Sequence, residues 1–284
     1  MKTRESFKLI AVGTIWLWLI AFALLPNLLV AVASVLERGA DEFVVFAVTL
    51  DSYRRLLDPL YLGVLLDSLY LAAATTLLCL LLGFPFAYLL VRLPVRWRSL
   101  LLVLVIIPFW TSSLVRTYAM VIILKTNGLL NQILLGLGLI AEPLELLYTE
   151  PAVIAGMLYA LLPFMILPLY AALEKLDRRL IEAARDLGAG RVTIFRRIIL
   201  PLTLPGIIAG CMLTFLPALG MFYVADLLGG AKTLLVGNLI RDQFLSARDW
   251  PFGAAASVML TVLMSLLLWA YYLSSRRASR GALP

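Results

Sequence analysis

Six long runs of apolar residues alternate with short charged segments, and this alternation constrains the chain more than any other feature. About twenty consecutive apolar residues cross a bilayer as one helix. Read in order, the runs predict spans over about 9–36, 68–91, 99–124, 151–173, 202–225 and 251–273. In hydrocarbon every backbone polar group must find a partner within the protein, so helices are the expected form. The expectation is an all-α membrane protein, a single transmembrane domain over residues 1–284. A composition of 63% hydrophobic and 14% charged residues agrees, being far from that of a soluble domain.

The first run follows Lys2, Arg4 and Lys8. Ala31-Val32-Ala33 has the spacing of a signal-peptidase site, but the apolar stretch is too long for a signal core and more spans follow. An uncleaved first helix entering from the cytoplasm is predicted. The loop from Glu37 to Asp67 carries six acids and three arginines, and its 50–53 and 56–59 segments read as ordered. Helix breakers interrupt the later spans: Gly83 and Pro85, Pro108, Pro163 and Pro168, Pro205 and Pro217. Transmembrane helices tolerate them when neighbours repair the backbone. Arg116 lies about 17 residues into the third span, roughly 26 Å along a helix, so its head is expected to snorkel to the far face. Gly128 to Ile140 is apolar but only 13 residues long. An interfacial or re-entrant helix started by Thr126-Asn127-Gly128 suits it. Asp249 reads as the cap of the sixth helix, with Pro251 at its first position.

Charge orients these spans. With the N-terminus inside, 16 of the 24 Lys and Arg fall on the inner side and 7 on the outer, Arg116 lying within a span. The acids run the other way, 5 inside and 12 outside. Both termini are therefore expected in the cytoplasm. The outer loops keep a negative balance that attracts cations mildly. Several chemistries lack their parts. Histidine is absent, which removes the commonest metal ligand and general base. Cys79 and Cys211 sit inside apolar runs, away from any disulfide or metal pattern. No phosphate-binding Gly-x-x-x-x-Gly-Lys loop occurs, and no acid falls clearly within a span to relay protons. No catalytic residue, metal or cofactor is expected in this chain.

Between the fourth and fifth runs lies a charged elbow, Glu182 to Pro201, reading EAARDLGAGRVTIFRRIILP. Leu180, Ala184 and Leu187 share one helical face. Asp177 suits its N-cap and Gly188 its stop. Arg191 to Leu200 suits a second short helix ending at Pro201. Glu182-Ala183-Ala184, then Gly188 four residues on, nine more residues, and Ile198-x-Leu200-Pro201 fill a long, gapped pattern. This segment resembles the EAA loop of permease subunits in ABC importers of the type I, MetI-like kind. The resemblance implies six transmembrane helices, a bacterial inner-membrane location, and a cytoplasmic coupling loop at 177–201 that docks on an ATPase dimer. ATP and Mg would reside on that ATPase. It further implies a second permease subunit and a periplasmic binding protein.

Segments 109–116, 127–131 and 249–255, with Leu56 to Tyr61 and Gly229-Gly230-Ala231-Lys232, look like the polyamine branch of these permeases. That implies spermidine or putrescine as the solute. A permease for thiamine, an iron chelate or sulfate shares the elbow and stays open as the alternative. Aromatic faces attract ammonium groups, so Trp110 and Tyr118 in the third span, and Tyr223 with Asp226 ending the fifth, are candidates for the solute path. Tyr223 and Asp226 share a face if the helix continues that far. Asp226 otherwise ends a helix or pairs with Lys232. Arg116 would repel a polyamine and is assigned to structure or gating.

Overall fold

A computed structural model describes residues 2–39, 43–230 and 233–280, about 80% of them helical. Among these residues, six helical stretches are long and apolar enough to cross a membrane: Ala11–Ala33, Pro59–Arg92, Ser113–Gly136, Glu150–Glu174, Arg191–Gly220 and Trp250–Leu273. The chain divides into two compact units, one of Met1–Gly63 with Leu239–Leu263, the other of Val64–Asn238 with Met264–Pro284.

In the first unit, α1 (Lys2–Leu19) runs through a wide turn into α2 (Leu25–Ala33). The expected span reached residue 36, but Leu36 already belongs to a strand. β1 (Leu36–Glu37) pairs antiparallel with β2 (Val45–Val48), and α3 (Asp51–Leu56) follows. α4 (Pro59–Arg92) begins nine residues before the predicted span. Its start is set locally: the Asp58 carboxylate accepts the Leu60 N–H at 2.9 Å, and proline at the first helical position sacrifices no bond.

Asp249 is the hub of this unit. Its side chain is 2% exposed, caps the last helix by accepting the Phe252 N–H at 3.2 Å, and meets Arg55 at 2.8 Å and Arg38 at 3.6 Å. The Arg55 guanidinium also lies 4.3 Å over the buried Phe252 ring. Burial works against the Arg55 charge, yet the hydrogen bond and charge of Asp249 outweigh it and raise the Arg55 pKa. The capping role of Asp249 is as expected, but Trp250 is the first residue of α14 (Trp250–Arg280) and Pro251 the second.

The second unit is built on α8 (Glu150–Glu174) packed against α11 (Leu200–Gly220). Their backbones approach closely along Gly206 and Gly210. A Cβ on Gly206 would stand 2.4 Å from the Ala172 Cβ, and one on Gly210 2.7 Å from the Met165 sulfur. Small residues at such a seam let helices associate by close packing where lipid removes the hydrophobic drive. Met157, Leu161, Met165 and Leu169 are buried on α8, and Val224 and Leu228 on the segment after α11. Ser68 on α4 accepts the Val236 N–H at 2.8 Å and so fixes the start of α13 (Val236–Leu245).

The predicted third span is not one helix. α5 (Val95–Ile106) passes through a tight turn at Ile107–Trp110, the backbone extends at Thr111 and Ser112, and α6 (Ser113–Leu124) begins anew. Pro108 lacks an N–H and crowds the preceding turn, so the polar patch behind it is where the helix gives way. Beyond α6, α7 (Leu129–Gly136) forms where the short apolar run predicts a helix. Its buried Asn131 donates to the Thr126 and Leu144 carbonyls at 3.0 and 2.8 Å and accepts the Leu144 N–H, closing the loop that follows.

Candidate functional site

The elbow is α9 (Arg178–Asp186), a turn, and α10 (Arg191–Ile194). Asp177 caps α9 by accepting the Arg179 N–H at 2.9 Å. At the other end Gly188 takes φ +81°. Its N–H donates to the Arg185 carbonyl at 2.8 Å, and that of Ala189 to the Ala184 carbonyl at 2.9 Å. This pair of bonds is the Schellman closure, which needs a left-handed residue that glycine supplies without strain. Both ends of α9 are thus determined by the residues that the sequence marks.

α9 turns outward. None of its residues is buried, Glu182 and Ala183 are exposed, and Leu187 is 88% exposed. Its apolar stripe of Leu180, Ala184 and Leu187 is strongly segregated from its charges, yet the rest of the second unit leaves Leu180 and Leu187 uncovered. An amphipathic helix in this state presents a ready docking surface.

The second half of the elbow departs from expectation. The helix does not end at Pro201. α10 passes through a wide turn at Phe195–Ile199 into α11, giving one helical run. A proline ring clashes with the carbonyl four residues back, and the widened turn immediately before it relaxes that conflict. Ile198, Leu200 and Pro201 therefore form the rigid stem on which the elbow turns. The chain leaves helical geometry at Leu187 to Gly190 between α9 and this stem, and at Lys175 to Asp177 between α8 and α9.

The path candidates are placed unevenly. Trp110 is 82% exposed at the break before α6, and Tyr118 is exposed further along that helix. The Tyr223 hydroxyl is bonded to Ser113, the first residue of α6, which links the break in one helix to the break in another. α11 stops at Gly220, Met221 leaves helical geometry, α12 (Phe222–Val224) adds one turn, and a wide turn runs over Ala225–Gly229. The predicted fifth span is therefore interrupted before Tyr223. Asp226 accepts a hydrogen bond from Asn238, a residue sequence reasoning missed. Asn238 is buried and also donates to the Phe222 carbonyl at 3.1 Å and accepts the Leu235 N–H at 3.2 Å. Its signal was faint, a lone amide after an apolar triplet. The proposed partner Lys232 and the neighbouring Ala231 lie outside the described residues.

Arg116 does not extend freely. The predicted 26 Å position supposed an unbroken helix, whereas the break puts Arg116 on the first turn of α6. Its guanidinium lies 5.7 Å from the ring centres of both Phe109 and Tyr159. Nε and Nη1 are buried without an acceptor among the described residues. Cation–π attraction of about 0.5–2 kcal/mol per ring offsets part of that cost.

The geometry presents six helices long and apolar enough to span a membrane and one capped, exposed elbow. The chain belongs to the family of binding-protein-dependent transport system inner membrane components, whose profile matches residues 79–280. It is 55% identical over 276 residues to the spermidine/putrescine transport system permease protein PotB of Salmonella typhimurium LT2, covering 97% of this chain and 96% of that one. To the PotB of Escherichia coli K12 it is 57% identical over 259 residues, 91% of this chain and 94% of that one. The inner membrane ABC transporter permease protein YdcU of the same organism is 36% identical over 78% of this chain and 74% of its own. Among solved structures, a bacterial ABC transporter that imports the acidic polysaccharide alginate superposes with TM-score 0.79 at 18% identity, covering 97% and 96% of the two chains. The methionine ABC transporter MetNI gives 0.55 at 19% identity, covering 78% of this chain and 99% of that one. At those identities the likeness is one of fold.

Proposed function

We propose that the chain is a permease subunit of a binding-protein-dependent ABC importer for spermidine and putrescine. Relatives that carry that description match it at 54–57% identity over nearly its whole length. It would form half of the translocation path as a heterodimer with a PotC-like permease. A PotA-like ATPase dimer would hold ATP and Mg, and a periplasmic PotD-like protein would deliver the solute. Both termini would lie in the cytoplasm. The observation that carries the coupling role is the exposure of α9, capped at both ends yet uncovered on its apolar face. A continuous helical stem behind a glycine turn suits transmission of motion from the ATPase to α11. Trp110, Tyr118, Tyr223 and Asp226 would line the path, the rings contacting methylene and ammonium groups and the carboxylate one ammonium.

The test is uptake by proteoliposomes holding the assembled importer, with ATP inside and the loaded binding protein outside. Labelled spermidine and putrescine are expected to accumulate, and thiamine, iron chelate and sulfate to stay out. Accumulation of one of the latter, with no polyamine uptake, would move the chain to another branch of the family.

A further inference from the structure

Four helix ends meet around a cavity of about 580 Å³ in the second unit: the ends of α4 and α8 and the starts of α5 and α9. Its wall carries five cations, Arg92, Arg98, Lys175, Arg178 and Arg179, against three carboxylates. Two of the acids are engaged. Glu174 pairs with Arg98 at 3.1 Å, and Asp177 is spent on the N-cap of α9. Arg178 donates to the Val91 carbonyl at 2.9 Å. The Arg92 guanidinium lies 4.1 Å over the Tyr88 ring and donates to its hydroxyl. Lys175 and Arg179 remain on the wall with no side-chain acceptor among the described residues.

We propose that this cavity binds the phosphate group of an acidic phospholipid. Its depth favours a lipid. The two apolar spans α4 and α8 end here, so the wall lies at headgroup level, and tyrosines flank it as they flank membrane interfaces. Its volume exceeds what a bare phosphate fills. Leucine and isoleucine on the same wall offer contact to glycerol and the first acyl carbons. Basic pockets between transmembrane helices recognise acidic headgroups by charge, and guanidinium forks bond phosphate oxygens strongly. Arg92 and Lys175 belong to span ends, whereas Arg179 belongs to α9. A phosphate held among them would brace the elbow against the spans. Only this last consequence rests on the permease reading; binding itself does not.

The test uses the assembled importer in native mass spectrometry, with equal amounts of phosphatidylglycerol and phosphatidylcholine. The wild type is expected to retain phosphatidylglycerol about tenfold over phosphatidylcholine. Arg92→Gln, Lys175→Gln and Arg179→Gln combined should abolish that preference, while a charge-matched control away from the cavity, Arg54→Gln with Lys125→Gln and Arg248→Gln, keeps it. Unchanged preference in the triple variant would overturn the site. Loss of the lipid in phosphate buffer, but not in chloride of equal ionic strength, would make free phosphate the ligand and overturn the lipid assignment. Preference seen in the isolated chain but lost when the ATPase is bound would give the cavity to a protein partner instead. A failure of polyamine uptake would leave all these outcomes readable.

Discussion

Arg178 donates its guanidinium to the carbonyl oxygen of Val91 at 2.9 Å, joining the first residue of the elbow helix to the last turn of α4. The two positions are 87 residues apart in sequence. Such a bond also satisfies a carbonyl that the end of a helix leaves open. It gives the elbow a third attachment besides its covalent links to α8 and α11. Arg178→Ala should lower the solute carried per ATP hydrolysed by about two- to fivefold, the effect of one exposed charged hydrogen bond. Arg178→Lys should keep part of it. An unchanged ratio in the alanine variant would mean that the bond does not transmit motion.

Gly188 and Glu182 test the docking role. Proline at 188 cannot take φ +81° and has no N–H for the Arg185 carbonyl, so it opens the Schellman closure. Glu182→Lys reverses a charge on the exposed face. Both variants should insert and assemble normally while ATP hydrolysis loses its stimulation by loaded binding protein. Normal stimulation and transport in both would remove the elbow from coupling.

Asp226→Asn isolates charge from shape, because asparagine can still accept the Asn238 hydrogen bond. Uptake at low polyamine concentration should fall about fivefold, as expected for loss of one partly screened ion pair, and less at high salt. Assembly and basal ATP hydrolysis should not change. Full uptake would withdraw Asp226 from the path. Asn238→Ala should act differently, destabilising the fold by about 1–3 kcal/mol because it strands the Leu235 N–H and takes a donor from the Asp226 carboxylate.

Asp249 should be structural. Asp249→Ala removes a helix cap and the shared partner of two half-exposed arginines, a loss of about 1–2 kcal/mol. Hydrogen exchange at Phe252 and Gly253 should speed up markedly. Asp249→Asn, which keeps the cap, should show a smaller change. Equal exchange in wild type and Asp249→Ala would show that the cluster contributes nothing to local order.

Orientation can be read by cysteine labelling after Cys79 and Cys211 are replaced by alanine. Cysteines at 96 and 191 should react only with reagents that enter the cytoplasm, following the excess of Lys and Arg near them. Reaction of either with an impermeant reagent from outside would invert the topology.

The residues alone determined what depends on local chemistry. Apolar length announces the spans, and Asp177, Gly188 and Asp249 announce helix ends, because caps and left-handed turns act within a few residues. The same locality makes the elbow motif readable before any packing is known. What only the tertiary structure decided involves residues far apart or competing local signals. Pro108 and Pro201 look alike in sequence, yet one breaks a helix and the other rides within one, since a widened turn can absorb the second. Asp58 extended α4 into what looked like a loop. The Asn238–Asp226 and Arg178–Val91 bonds, and the Arg116 cage of Phe109 and Tyr159, join separate helices. Each depends on how helices meet, as α8 and α11 do where Gly206 faces Ala172 and Gly210 faces Met165, a pairing of two stretches far apart in sequence.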